Sequence, residues 1–583
     1  MQAVDYIVVV IYLLGMLVIS TLFSKRMKNA NDMFSAGGQS PWWISGLSAF
    51  MTMFSAGTFV VWGGIAYQYG LVAIAINCCY GIAALLVGRY IAGQWKEAGV
   101  NSASEFLQLR FGSSIVQFYT WFKGLLTIFT TGGSIYALSK IVSALIPLSH
   151  GHWLADPATG HLSVAIMSTV LCIVVVLIAF SGGLWAVLMT DVLQFIVLTV
   201  SVLLVVPLIL GELSSIDSFV NQMPEGYFSL TTLDFPVWFL VGWLVLNFVT
   251  LGGDWAFIQR YLCVPDSKSA KKSAYLIGVM YIVSPIIWMI PPLAFRAIEP
   301  NIDAEQAYIL ACQYVLPAGL MGLMMAAMLS ATASMATTRL NVFAGAFTEI
   351  YCRYKNYCVN HATQIWVGRL ATVVLGAILL LGALLIPQYG YTKFILDINT
   401  LLYVPLVLPT LWGLFSKRIG LLAVWLTMIF GFIASFILKF GLSQQGFLSS
   451  FEIFTPYIEW ISLNTRTADV FVGVLFPFIT LLIIEKLSNK EHEGWQRFIS
   501  HKESVHLQDG KKVAMTYIDT LPLTLSATTM FIIAIGLVIS AFYRTDIVVI
   551  LILFALVLSV MSIYVLRYVD RQKKQTFVLS SVQ

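Results

Sequence analysis

The sequence predicts an all-α polytopic membrane protein of about fifteen transmembrane helices, with two inverted five-helix repeats at its centre. Three observations predict it. First, the 583 residues are 59% hydrophobic and only 10% charged, where a soluble domain is about 25% charged. A soluble fold of this size cannot bury so much apolar surface. Second, the apolar runs are continuous and about twenty residues long, the length of a helix across a bilayer. Barrel strands would alternate polar and apolar over about ten. Third, two spans five helices apart share a polar, glycine-containing centre. Five is odd, so the second unit enters the membrane from the opposite face, as in an inverted repeat.

The elements follow in order. Residues 1–40 hold a first peripheral helix (3–23) and a cytoplasmic link. No basic segment precedes Val4–Phe23, so this stretch is expected to span and not to be cleaved as a leader. Spans at 41–65, 70–93, 116–147, 162–180 and 184–210 make the first repeat, 41–210. Spans at 236–258, 274–294, 315–348, 365–386 and 394–415 make the second, 236–415. Spans at 419–440 and 468–485 are peripheral helices within 416–485. The polar stretch 486–520 reads as a cytoplasmic loop with one surface helix. Spans at 521–541 and 547–567 form a C-terminal hairpin and short tail, 521–583.

Charge orients the chain. Lys25, Arg26 and Lys28 follow span 1; Lys96, Arg110 and Lys123 lie around the link between spans 3 and 4. Arg260, Lys268, Lys271 and Lys272 follow span 7, Arg353 and Lys355 span 9, and Lys417 and Arg418 span 11. Lys486 to Lys512 follow span 13, and Arg567 to Lys574 the last. All of these fall on one side of the membrane. Residues 210–235, on the other side, carry Glu212, Asp217, Glu225 and Asp234 without Lys or Arg. By the positive-inside rule the N-terminus is outside and the C-terminus cytoplasmic, in a multi-pass cell (inner) membrane protein. The net charge of +5 is scattered, which fits loops against a lipid surface and not a nucleic-acid partner.

Interrupted helices point to function, because a bilayer helix leaves backbone groups unpaired only where the break lines an enclosed cavity. Span 2 carries Ser55, Ala56 and Gly57 at mid-membrane; span 7 runs Asn247 to Asp254 through Gly252 and Gly253. Asp191 stands a third of the way into span 6, and a carboxylate at that depth needs a cation, a donor or water. It is expected on an ion pathway. Arg339 and Asp254 read as a structural ion pair or as snorkelling groups near the cytoplasmic face.

Several motifs then resemble one family. They are Asp5-Tyr6, Asp32 to Trp43, Ser102 to Gly112, Ser181-Gly-Gly with Thr190-Asp191, Ile258-Gln-Arg260, Leu340-Asn341 and Gly413 to Lys417. In this order and spacing, over residues 1–485, the chain resembles the sodium/solute symporter family, with the last two helices matching a longer bacterial subgroup. The resemblance implies a LeuT-like fold and Na+ as coupling ion. It implies a sodium site from the carbonyls of Met51, Phe54 and Ala331 and the hydroxyl of Ser334, with Asp191 at an exit or secondary site. Oxygen donors suit this hard cation. Where the family usually has a second Ser or Thr, this chain has Met335, and a thioether is a poor sodium ligand. Sodium coupling is expected, with proton-coupled or uncoupled transport as the alternative. Substrate positions map to Thr58, Asn77 and Asn247, the aromatic inner gate to Thr250, and Asp397 or Asn399 could add a polar contact from span 11. These neutral groups suit a small-molecule solute such as a sugar or polyol. No unpaired Arg is expected in the pocket to meet a carboxylate, and Lys140 of span 4 stays open as a cation that could reach it.

Other classes are weaker. No phosphate-binding glycine loop, His-Glu-x-x-His or serine elbow occurs, so no enzyme is expected. Residues 568–583 leave no room for a signalling domain, so a sensor would need a separate partner, and no obligate protein partner is evident. The seven cysteines sit mostly inside spans and form no disulfide framework. Cys352, Cys358 and His361 match no zinc spacing, and His150, His152 and His161 read as solvated loop residues.

Overall fold

The computed structural model describes residues 2–24, 38–148, 151–157, 159–355, 360–386, 396–488, 490–509, 521–543 and 548–581. The basic cluster 25–28, Asp32 to Ser35, His150, Cys358 and Lys511–Lys512 lie outside the described residues.

Among the described residues, nine helices are long and apolar enough to cross a membrane, and two bent pairs add two more. Ala3–Met16, Val164–Phe180 and Ser526–Phe542 are shorter apolar helices at the places expected for spans 1, 5 and 14. Span 11 is a π-helical turn, Asn399–Tyr403, running into Val404–Gly413. Each of the fifteen expected spans therefore has a helix. Helical residues run through Val164–Gly211, 48 in all. At 1.5 Å per residue that is about 72 Å, more than twice the ~30 Å of hydrocarbon, so the stretch holds spans 5 and 6.

Close packing of small residues holds the bundle, since lipid supplies no hydrophobic drive between helices. A Cβ on Gly382 of span 10 would stand 2.0 Å from the Phe129 carbonyl oxygen of span 4. A Cβ on Gly81 of span 3 would stand 2.8 Å from the Gly278 carbonyl of span 8. Neither position admits a side chain without the helices moving apart.

Several sequence motifs are joints. Asp5 of span 1 accepts the backbone N–H groups of Gly319 (2.7 Å) and Gly322 (2.8 Å) at the start of the helix Leu320–Tyr354. A carboxylate there satisfies orphan donors and meets the positive end of the helix dipole. Gly319 has φ +85°, a conformation that favours glycine. Arg110, within Ser102 to Gly112, donates to the carbonyls of Gly413 (3.2 Å) and Ser416 (2.6 Å), so two of the motifs meet at the end of span 11.

The surface helix expected within 486–520 is Glu493–Asp509. It packs on the short helix Ala103–Phe111, with Phe498 edge-on to Phe106 at 5.3 Å and Trp495 under Arg110 at 5.6 Å. The last helix, Val548–Ser581, runs on past the expected end of its span.

Candidate functional site: two broken helices around a polar cavity

Span 2 is two helices, Trp42–Met53 and Thr58–Tyr69, bent by 63°. Phe54 is extended (φ −91°, ψ 129°), which frees the local backbone from the helix ladder. Side chains satisfy the exposed donors. Ser55 N–H donates to Thr58 Oγ1 (3.2 Å), Gly57 N–H to Ser55 Oγ (3.2 Å) and Ala56 N–H to Thr332 Oγ1 (2.8 Å). The last bond fastens the break to span 9.

Span 7 is also two helices, Val237–Gly253 and Trp255–Leu262, bent by 52°. Asp254 is the joint: it is extended (φ −76°, ψ 140°) and accepts Ala256 N–H at 3.0 Å, capping the second half. Asp254 was expected near the inner end of its helix. It sits at the break because Gly252, Gly253 and a capping carboxylate together end one helix and start another. Its ion partner is Lys123, 3.0 Å away and 1% exposed, and not Arg339. Tyr403 donates its hydroxyl to the same carboxylate. At 3.0 Å the ammonium and the carboxylate form a buried, charge-assisted contact. Lys123 thus belongs to the interior and drops out of the basic loop residues.

Between the breaks lies a cavity of about 140 Å³. That is close to the ~150 Å³ that takes a single benzene-sized ring. Span 2 contributes Thr52, Ser55 and Thr58, and span 7 contributes Asn247, Thr250 and Asp254. Span 4 adds Lys123, Thr127, Thr130 and Ser134; span 9 adds Met335 and Arg339; span 11 adds Asn399 and Tyr403.

Thr58, Asn247 and Thr250 therefore line the cavity as expected, and two other expectations fail. Asn77 is buried outside the lining, its amide donating to the Ala73 carbonyl of its own helix at 2.8 Å. Asp397 is held by Lys439 at 3.0 Å, which also holds Asp469 at 3.0 Å. A peripheral helix thus supplies the cation that keeps this carboxylate away from the cavity. The expectation of no unpaired Arg also fails, because Arg339 reaches the cavity wall and its NH1 donates to Thr131 Oγ1 at 2.7 Å. Lys123, Arg339, Thr332 and Tyr403 were not foreseen. A faint signal existed for Arg339, an isolated cation ten residues before the next charged group, Glu349.

Of the locus mapped from the resemblance, Ser334 and Asp191 meet directly. Ser334 and Asp191 are both fully buried. Asp191 accepts the hydroxyls of Ser48 and Ser334 and faces Arg260 at 3.9 Å. Arg260 also donates to Ser48 Oγ (2.9 Å) and Thr338 Oγ1 (2.8 Å). Ser334 spends its proton on Asp191, which leaves the hydroxyl's lone pairs for a cation. Asp191 stands behind Ser334 with its own oxygens taken. Met51 O accepts a turn bond from Phe54 N–H at 3.1 Å, and Thr332 fastens the break beside Ala331. These hard oxygen donors fit Na+.

The sequence model of the Sodium:solute symporter family matches residues 33–431. The chain belongs to that family. A sodium/glucose cotransporter of Vibrio parahaemolyticus is 26% identical over 67% of this chain and 76% of its own length. A sodium/sialic acid symporter of Proteus mirabilis is 26% identical over 75% and 90%. A sodium/myo-inositol cotransporter of Rattus norvegicus is 24% identical over 72% and 67%. The solved structure of a Na+-coupled sialic acid symporter, substrate-bound and outward-open, superposes with a TM-score of 0.69 at 22% identity, covering 84% of this symporter-family chain and 99% of that one. At that identity the likeness speaks to fold alone, and the fold is the LeuT-like transporter architecture. Na+ is the family's coupling ion.

Proposed function

We propose that the protein couples the inward movement of Na+ to uptake of a small, hydroxyl-bearing solute of the sugar or polyol kind, by alternating access at the two breaks. One observation carries the solute class. Trp243 and Asn247 line the cavity one helical turn apart, and Trp243 Nε1 and Asn247 Oδ1 are buried without hydrogen-bond partners among the described residues. An acceptor and a donor side by side, beside the hydroxyls of Thr58 and Ser134, match neighbouring hydroxyl groups of a solute. A buried polar group left unpaired costs about 1–3 kcal/mol, which a bound solute would relieve. Names of relatives support the reading: glucose, sialic acid and myo-inositol are all hydroxyl-rich.

Sodium would occupy the locus of Met51, Phe54, Ala331 and Ser334, with Asp191 polarising the serine. The membrane would be the cell (inner) membrane, with the N-terminus outside and the C-terminus cytoplasmic. No enzymatic role is proposed. One charge moving inward gains about 2.3 kcal/mol per 100 mV, and a tenfold sodium gradient about 1.4 kcal/mol. One sodium could then concentrate a neutral solute several hundredfold, to order of magnitude. The test is solute uptake into proteoliposomes with and without an inward sodium gradient. Uptake that rises with the gradient supports the proposal; full uptake without sodium overturns the coupling.

A further inference from the structure

Among the described residues, the cavity lining holds one more positive charge than negative. Its ionisable walls, apart from phenols, are Lys123, Asp254 and Arg339. Lys123 and Asp254 pair at 3.0 Å and cancel. Arg339 has no carboxylate partner among the described residues; its bond goes to the neutral hydroxyl of Thr131 at 2.7 Å. The other acids of this region are committed elsewhere: Asp191 to Ser48, Ser334 and Arg260, and Asp397 to Lys439. A guanidinium carries five donors in a rigid fork. With NH1 fixed by Thr131, the rest of the fork is available at the cavity wall.

An uncompensated cation inside a bilayer protein is expensive to keep, and the residues that carry one serve a ligand or an ion path. Snorkelling to the cytoplasm does not account for it. The side chain is turned sideways, toward Thr131 of span 4, which itself donates to the Thr127 carbonyl at 2.6 Å and so holds a fixed orientation.

We propose that the solute is a monoanion, a hydroxylated monocarboxylate, whose carboxylate seats on Arg339 while its hydroxyl groups meet Asn247 and Trp243. The solute then supplies the missing negative charge, and the polar wall of spans 2 and 7 reads the remainder. This rests on the transporter reading above, keeps its hydroxyl-rich solute and replaces the neutral sugar or polyol by an acidic counterpart. It also fixes the charge balance: one sodium with one such solute moves no net charge, and two sodiums move one.

The test compares matched pairs that differ by a carboxylate, gluconate against glucose and lactate against glycerol, within a wider solute panel sorted by charge. Sodium-driven uptake into proteoliposomes is measured for the parent protein, Arg339→Gln and Arg339→Lys, with thermal unfolding as the check on folding. The expected result is accumulation of monoanions in preference to their neutral partners. Arg339→Gln should lose at least tenfold in apparent affinity for the anion while unfolding within a few degrees of the parent. Arg339→Lys should recover part of it, since charge returns but the fork does not. Preference for the neutral partners, or unchanged anion uptake by Arg339→Gln, overturns the proposal and leaves the transporter standing. An absence of sodium-driven uptake across the panel overturns both.

Discussion

Replacing Asp191 by Asn separates the ion site from the scaffold that supports it. The side chain keeps its shape and loses its charge. It is fully buried and accepts the hydroxyls of Ser48 and Ser334, with Arg260 at 3.9 Å. Removing one partner of a buried charge pair costs about 3–5 kcal/mol. The separation here is long, and Arg260 keeps its bonds to Ser48 (2.9 Å), Thr338 (2.8 Å) and Gln259 (2.8 Å). The loss should therefore fall near the lower end, about 3 kcal/mol. Sodium feels a second effect. The Ser334 hydroxyl loses a charge-assisted bond and keeps a neutral one, a difference of about 1 kcal/mol. With 1.4 kcal/mol per tenfold, the half-saturating sodium concentration should rise about fivefold. Uptake measured against sodium concentration reads the second effect, and thermal unfolding in detergent reads the first. Ser334→Ala, which removes the oxygen itself, should shift sodium further and stability less. An Asp191→Asn protein with a lowered unfolding temperature but the parent's sodium dependence would refute the polarising role.

Three further outcomes are expected. Asn247→Ala should raise the solute concentration for half-maximal uptake about tenfold, for the loss of roughly 1–2 kcal/mol of hydrogen bonding, and leave the sodium requirement at fixed saturating solute nearly unchanged. Lys123→Met should destabilise by about 3–5 kcal/mol because it strands the Asp254 carboxylate, and Lys123→Met with Asp254→Asn should restore most of that; unfolding temperatures of the two variants check it. Met335→Ser should lower the half-saturating sodium several-fold, since it places a hydroxyl next to Ser334 where the thioether stands; an unchanged sodium curve would count against the mapped site.

The spans were legible because an apolar run of bilayer length has few other uses, and the breaks because glycine and polar residues at mid-membrane have few others. Ser55 to Gly57 and the pair Gly252–Gly253 declared themselves in that way, whereas the place of Asp254 at the joint did not. Pairings were not legible. Lys123 looked like a loop residue because only the folded bundle brings it to Asp254. Asp397 looked available because its cation, Lys439, comes from a peripheral helix outside the repeat arithmetic. Asn77 stood at a mapped position, but its amide is satisfied by Ala73 of its own helix. Arg339 shows the same limit from the other side. Sequence places a cation in the inner half of span 9, and only tertiary structure shows that no described carboxylate meets it.

On this reading the unwound segments of spans 2 and 7 hold ion and cargo together. An experimental density map of the protein in sodium and in a sodium-free buffer tests it most directly. A sodium-dependent peak is expected within coordination distance of the carbonyls of Met51, Phe54 and Ala331 and the hydroxyl of Ser334, with Asn247 across the same cavity. A continuous helix through Phe54 or Asp254, or a sodium-dependent peak away from those oxygens, would contradict it.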